Sequence, residues 1–235
     1  MLIAEIVIPC FNEGKNIENL IRQCREVTAL SDFNLGFILV NNGSSDETHE
    51  LLTSLIKEDE LMKYLFLSEN KGYGGGILEG ISVSSAPIVG WTHADLQTPL
   101  VDCLAGLKEL QLGKDFAKGV RGGRKFGDKF FSNGMALFES LLFKLKLHEI
   151  NAQPTMFKRE FMSYWNNPPK DFSLDLYALL IASKTKRKIG RFSVNFLPRL
   201  FGESKWNTDL KSRLRFIKRT VTYSVALRRK INENL

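Results

Sequence analysis

Along the chain, short apolar runs alternate with segments whose apolar residues recur every three to four positions. Ile3 to Pro9 (IAEIVIP), Phe37 to Val40, Tyr64 to Leu67 and Ile88 to Trp91 read as strands. Between them, Lys15 to Leu30 carries Ile17, Leu20, Ile21 and Val27 at helical spacing. Asp46 to Glu58 reads as a second helix with Ser45 or Asp46 as its N-cap. A glycine-rich loop, Lys71 to Gly76, leads into a helix ending at Ser84, and Pro99 starts another. Strands that are continuously apolar, rather than alternating, belong in a parallel sheet covered on both faces. The pattern therefore predicts an α/β fold.

After Gly113 the rhythm loosens. Phe116 to Val120 predicts a fifth strand, Phe130 to Leu147 a helix, Asn151 to Phe157 a strand, Phe172 to Ala182 a helix and Ile189 to Leu197 a strand. Thr208 to Arg229 predicts an amphipathic helix with Leu210, Leu214, Ile217, Val221 and Val225 on its apolar stripe and Lys211, Arg215, Lys218 and Arg219 off it. With no internal repeat or low-complexity stretch, the simplest division is one domain over residues 1–207 and a basic helix over 208–235.

Composition narrows the class. Of 235 residues, 43% are hydrophobic and 25% charged, which excludes a disordered chain. No apolar run approaches the roughly 18 residues that span a bilayer. The start, Met1 to Glu5, lacks the pattern of a signal peptide, and three scattered cysteines make neither a disulfide framework nor a zinc cluster. A reducing cytoplasm is the expected compartment. The net charge of +7 is uneven: from Lys184 onward fifteen Lys/Arg face three Asp/Glu, while the rest of the chain is net acidic. A basic end suggests an anionic partner: a membrane surface, a polyphosphate or nucleic acid.

In a parallel sheet, ligands bind at the carboxyl ends of the strands. Four such ends carry polar residues here: Pro9-Cys10-Phe11-Asn12-Glu13, Asn41 to Asp46, Glu69 to Gly74, and His93-Ala94-Asp95-Leu96-Gln97. Asp95 with His93 could hold a divalent ion, or Asp95 could cap the helix at Pro99. Gly72 and Gly74 to Gly76 could admit a phosphate, or simply turn the chain. Arg121, Arg124 and Lys125 suit phosphate oxygens or a solvated loop. Asp171 and Asp175, beside a helix start, could each serve as a general base or favour the helix dipole. The basic C-terminal helix could lie on an anionic membrane, bind nucleic acid, or cover the core.

Taken in order, these segments resemble an inverting family 2 glycosyltransferase, with the dolichyl-phosphate mannosyltransferase-like branch the nearest in pattern. The matching stretches are Ile6 to Glu13, Val40 to Thr48, Asn70 to Gly80, His93 to Gln97 with Pro99, and Arg199 to Asn207. The resemblance implies a GT-A architecture and a nucleotide-diphosphate-sugar donor. It places Pro9, Phe11 and Glu13 around the base and ribose, with Asn41, Asn42, Lys71, Gly74, Ala94 and Asp95 also beside the donor. It implies Mn²⁺ or Mg²⁺ at Asp95, with Gln97 and His93 near it, and phosphate contacts from Arg199 and Lys205 alongside Arg121 and Arg124. Two departures stand out: Asn41-Asn42-Gly43 replaces Asp-Asp-Gly, and His93 replaces the first acid of Asp-x-Asp. An amide can still read a base edge but carries no charge.

The resemblance further implies transfer to a polyprenyl phosphate or a polyprenyl-linked glycan, with Asp175 or Asp171 as base where the acceptor is a hydroxyl. The basic tail then places the protein peripherally, at the inner face of the cytoplasmic membrane. The departures also suit a non-catalytic nucleotide-sugar-binding module. Nucleic acid is not an expected partner, because it would leave the acidic rim unexplained.

Overall fold

The computed structural model describes residues 3–57, 59–122, 126–199, 201 and 210–233. In chain order the elements are β1 (Ala4–Cys10), α1 (Gly14–Leu30), β2 (Leu35–Asn42), α2 (Thr48–Ile56), β3 (Met62–Leu67), α3 (Tyr73–Ser82), β4 (Ile88–Trp91), α4 (Asp102–Gln111), β5 (Phe116–Gly122), α5 (Phe126–Phe143), β6 (Thr155–Lys158), a 3₁₀ segment (Arg159–Tyr164), α6 (Leu174–Lys184), β7 (Ile189–Asn195) and α7 (Leu210–Glu233). They form two compact units: Met1–Arg124 with Asn151–Phe201, and Lys125–Ile150 with Gly202–Leu235.

The first unit is built on a seven-stranded sheet in the order β3-β2-β1-β4-β6-β5-β7. β1 pairs in parallel with β2 and β4, and β2 with β3. β5 and β7 are parallel, while β6 runs antiparallel to both β4 and β5. The expected strand at 151–157 thus shrinks to four residues and reverses direction.

The continuous apolar character of β1 and β2 has its cause here. Ile6 and Ile8 join the core cluster with Leu20 of α1 and Leu107 of α4. On the other face α3 comes so close that a Cβ on Gly80 would lie 2.4 Å from Val7. Every position of β1 and β2 except Pro9 is therefore buried, and periodicity gives way to a solid run. The helix expected at Pro99 begins instead at Asp102. Its lead-in is closed by tighter i→i−3 bonds, Asp102 and Cys103 N–H donating to the Pro99 and Leu100 carbonyls at 3.1 and 3.0 Å.

In the second unit α5 packs against α7, a pairing the sequence pattern does not announce. Ser224 and Leu227 are buried, and the Ser224 hydroxyl donates to Glu139 Oε1 at 2.6 Å. Val225, placed by periodicity on the apolar stripe, is instead 36% exposed. The buried face runs through Ser224, because a serine that can reach a buried carboxylate serves there as well as an apolar residue. Lys218, Arg219, Arg228 and Arg229 are exposed.

Candidate functional site

The chain leaves β1 and β4 in the region where strand order reverses from descending to ascending, the position at which open α/β sheets form a crevice beyond their carboxyl ends. The four polar tips lie along this rim: specific bonds stitch the first three together, while the β4 tip meets the β3 tip through the His93–Tyr73 ring contact and is bonded to the segment after β7. Asn12, at φ +56°, accepts the Ser45 N–H at 2.8 Å and donates its own N–H to Ser44 Oγ at 3.0 Å. Glu13 N–H donates to Thr48 Oγ1 at 2.9 Å, and Gly14 N–H to Asp46 Oδ2 at 3.0 Å. The β1 and β2 tips are thus locked together. Burial pushes the Asp46 carboxyl up, but hydrogen bonds from Thr48 and Gly14 prevail and hold it below its usual range.

Asn42 joins the β2 tip to the β3 tip. Its Nδ2 donates to the Gly72 carbonyl at 2.9 Å, and its Oδ1 accepts the Lys71 N–H at 3.0 Å. Both ends of the amide expected to read a base are therefore used within the chain. Asn41 is fully buried, and its Oδ1 accepts the Ser44 N–H at 3.0 Å. Both asparagines shape loops. At Asn42 this accounts for an amide where the family pattern has an acid: a carboxylate has no hydrogen to give the Gly72 carbonyl.

The glycine-rich loop turns the chain at Gly72, at φ +81°, into α3. Gly75 N–H donates to the Lys170 carbonyl at 2.9 Å. A Cβ on Gly72, at φ +81°, would lie 2.5 Å from that same oxygen, and one on Gly74 would lie 2.6 Å from the Pro169 carbonyl. The absent Cβ atoms of Gly72 and Gly74 admit backbone 169–171. Lys71 Nζ pairs with Glu79 at 2.7 Å.

At the β4 tip Ala94 is buried in the core, while Asp95 keeps 8% exposure. Asp95 is not a helix cap. Its Oδ1 accepts the Gln97 N–H at 3.2 Å, and its Oδ2 pairs with Arg199 Nη2 at 2.8 Å. Arg199 Nε donates to Gln97 Oε1 at 3.0 Å, and Gln97 Nε2 to the Leu197 carbonyl at 3.2 Å. Glu13 lies within the same field. Burial raises its carboxyl above the usual range, with the Asp95 and Asp46 charges adding to this and Asn16 and Arg199 opposing it. Pro9 and Glu13 are half-buried, and Phe11 is 41% exposed.

The expected Mn²⁺ or Mg²⁺ can be tested against these donors. Both Asp95 oxygens and the Gln97 amide are engaged, and Glu13 Oε2 accepts Asn16 Nδ2 at 2.6 Å. The His93 ring packs on Tyr73, centroids 5.2 Å apart. Among the described residues no group of three His, Cys, Asp or Glu side chains could hold a metal ion. Mg²⁺-like ions are held by one or two carboxylates, with waters and substrate phosphates completing the shell; here the β4 tip offers one carboxylate and it is already paired with Arg199, so this set fits a divalent ion poorly.

One layer below His93 lies a buried polar cluster absent from the sequence expectations. Asp175, 2% exposed, accepts Gln153 Nε2 at 2.7 Å and Lys118 Nζ and Trp91 Nε1 at 3.2 Å on Oδ1, and the Tyr73 hydroxyl at 3.2 Å on Oδ2. Lys118, fully buried, also donates to Thr155 Oγ1 at 2.7 Å. Burial lowers the Lys118 amine to about 8, with Asp175 pulling the other way. Burial, then the Asp175 charge, drives the Tyr73 phenol well up. So placed, Asp175 is enclosed by its donors. The signal was present: Lys118 is a cation at the apolar start of β5 and Asp175 the one anion of an apolar helix, and opposite charges in such settings are usually each other's partner.

Asp171 is half-buried and accepts the Ser173 N–H at 2.8 Å, opening α6, and Phe172 beside it is 50% exposed and stacks on Tyr73 at 4.5 Å. Arg121, at the end of β5, lies over the Phe196 ring at 5.7 Å. Arg124 and Lys205 lie outside the described residues.

Known proteins share this architecture. Glucosyl-3-phosphoglycerate synthase from Mycobacterium tuberculosis, solved with Mn²⁺, UDP and glucosyl-3-phosphoglycerate, superposes with a TM-score of 0.71 at 15% identity, covering 96% of this chain and 79% of that one. A mannosyltransferase from Pyrobaculum calidifontis, solved with GDP-Man and Mn²⁺, gives 0.60 at 18% identity over 84% of this chain and 58% of the other. These likenesses establish the GT-A fold. In sequence, a bactoprenol glucosyl transferase of Shigella phage SfV is 27% identical over 119 residues, 51% of this chain and 39% of that protein. An undecaprenyl-phosphate 4-deoxy-4-formamido-L-arabinose transferase of Pseudomonas fluorescens is 28% identical over 121 residues, 51% and 36% respectively. The chain thus spans about two fifths of the length of these curated relatives. The glycosyl transferase family 2 model matches residues 5–172, from β1 through all four rim tips to the start of α6. On that match the chain belongs to glycosyl transferase family 2.

Proposed function

We propose that this chain transfers a sugar from a nucleotide-diphosphate-sugar to a polyprenyl phosphate or polyprenyl-linked glycan, with inversion at the anomeric carbon. The observation that carries the reading is the rim itself: polar tips distant in sequence, three of them bonded together and the fourth holding Arg199, along one edge at the switch point of the sheet. Pro9, Phe11 and Glu13 flank the base and ribose. Arg199, braced on Asp95 and Gln97, faces the diphosphate. The acceptor oxygen attacks the anomeric carbon from the opposite face, and the glycosidic electron pair leaves with the diphosphate, where the guanidinium stabilises the charge that develops. A lipid phosphate is already ionised near neutral pH and needs no base. A glycan hydroxyl needs one, and the half-buried Asp171 takes that role because Asp175 is enclosed by its donors.

The relatives named for bactoprenol and undecaprenyl phosphate support the acceptor class and a branch acting on lipid phosphates. The exposed Lys218, Arg219, Arg228 and Arg229 of α7 support work at an anionic membrane surface, on its cytoplasmic face. The test is incubation with a panel of UDP- and GDP-sugars and vesicles carrying undecaprenyl phosphate, with the product's anomeric configuration read by NMR. Transfer with inversion is expected. Retention of configuration refutes the proposed stereochemistry.

A second reading has its own observation: Asn42 and Asp95 are fully engaged within the chain, as suits a non-catalytic nucleotide-sugar-binding module. Tight donor binding with neither transfer nor hydrolysis on the same panel selects it.

A further inference from the structure

We infer that Arg199 supplies in the chain the positive charge that a divalent ion supplies at such a rim, so that a nucleoside diphosphate binds here without metal. The inference rests on the donor reading above.

Three observations carry it. The β4 tip offers one carboxylate, since its companion position is His93, whose ring is packed against Tyr73. That carboxylate is paired with Arg199 Nη2 at 2.8 Å, and the same guanidinium is fixed from a second direction by Gln97 Oε1 at 3.0 Å. Gln97 is itself pinned, its Nε2 to the Leu197 carbonyl at 3.2 Å, and Leu197 N–H returns a 2.7 Å bond to the Gln97 carbonyl. The β4 tip and the segment after β7 are thus clamped so as to hold one cationic fork at the rim.

The physics then disfavours a metal. A divalent ion at Asp95 would compete with Arg199 for the one carboxylate and would set its double charge beside the guanidinium. A guanidinium, by contrast, is always charged, and its planar fork of N–H donors fits phosphate oxygens as well as carboxylate. Glu13 does not restore a second metal ligand, because its Oε2 is held by Asn16 Nδ2 at 2.6 Å.

The test is equilibrium binding of UDP and GDP to the full chain, once in excess EDTA and once in saturating MnCl₂ or MgCl₂, with protein-free controls for metal–nucleotide chelation. Affinity in EDTA within about threefold of that with metal is expected. Arg199→Gln is expected to weaken binding in EDTA by about 10- to 100-fold, the span of a lost charged hydrogen bond. Arg199→Lys, which keeps charge but loses the fork, should fall between. Tenfold or greater tightening by Mn²⁺ that disappears in Asp95→Asn overturns the inference and leaves the donor reading intact. Absence of UDP and GDP binding under both conditions refutes the donor reading, and the inference with it. Mn²⁺ titration followed by EPR gives a readout that needs no nucleotide: protein that leaves the free-ion signal unchanged agrees, and protein that depletes it stoichiometrically in wild type but not in Asp95→Asn does not.

Discussion

Replacing Lys118 by methionine tests whether the buried cluster is a paired-charge device. Lys118 Nζ lies 3.2 Å from Asp175 Oδ1 and 2.7 Å from Thr155 Oγ1, and neither charged residue exceeds 2% exposure. Methionine matches the length of the stem but strands the Asp175 carboxylate beside the remaining neutral donors. Removing one partner of a buried pair costs about 3–5 kcal/mol, far more than the pair contributes as a pair. Asp175→Asn alone leaves the ammonium with Thr155 and a weaker acceptor, and should cost about 2–4 kcal/mol. In the double variant both charges vanish while the asparagine oxygen can still accept from Trp91 and Gln153. Its loss should fall short of the sum of the singles by about 2 kcal/mol, the coupling of contacting residues. Urea unfolding followed by tryptophan emission and circular dichroism gives these quantities, with Trp91 reporting directly because its indole N–H bonds to Asp175. If Lys118→Met costs under about 1 kcal/mol, or the singles add, the cluster is not held by its charges.

Further outcomes follow from other contacts. Asn42→Asp removes the donor to the Gly72 carbonyl and sets two oxygens against each other, so it should lower stability by about 1–3 kcal/mol even though the family pattern carries an acid there; a thermal shift assay reads this, and no change rejects the loop-bracing role. Burial raises the Glu139 carboxyl to about 7 although Ser224 bonds to it. A folded-state value above the unfolded one means the group's stabilising contribution is full below about 4.5 and is lost as pH rises through 7. Stability of the α5–α7 unit should therefore decline from pH 5 to pH 8, and Glu139→Gln should flatten that slope in denaturant titrations. Reversing Lys218, Arg219, Arg228 and Arg229 to glutamate should release the protein from anionic vesicles in flotation; unchanged binding discards the membrane-surface reading. Asp171→Asn should slow transfer to a glycan hydroxyl at least tenfold and leave transfer to a lipid phosphate near wild type, an order of magnitude set by general-base catalysis; equal loss on both acceptors removes Asp171 from the base role.

The amino-acid pattern by itself determined the α/β class, the alternation of β1 through β4 with helices, and the location of the rim. These are local matters: apolar runs, helical spacing, and polar residues immediately after strands. Ile88–Trp91 could be bounded to the residue, because an apolar run between turn residues is decided within a few positions. The antiparallel β6 could not be seen, since direction is set by which neighbours a strand meets, not by its composition. Nor could the buried face of α7, which runs through Ser224 because Glu139, 85 positions away, accepts its hydroxyl.

At the site, sequence named most of the residues but only the tertiary structure assigned their partners. Asn42 looked like a base reader and proved to brace two loops. Asp175 looked like a base and proved to be the centre of a buried cluster with Lys118, 57 positions earlier. Asp95 looked like a metal ligand or a cap and is paired with Arg199. The reason is common to all three. Whether a carboxylate acts as ligand, base or anchor depends on what charge and how many donors lie within about 3 Å of it, and how much water remains. Those quantities belong to residues that folding, not chain order, brings near.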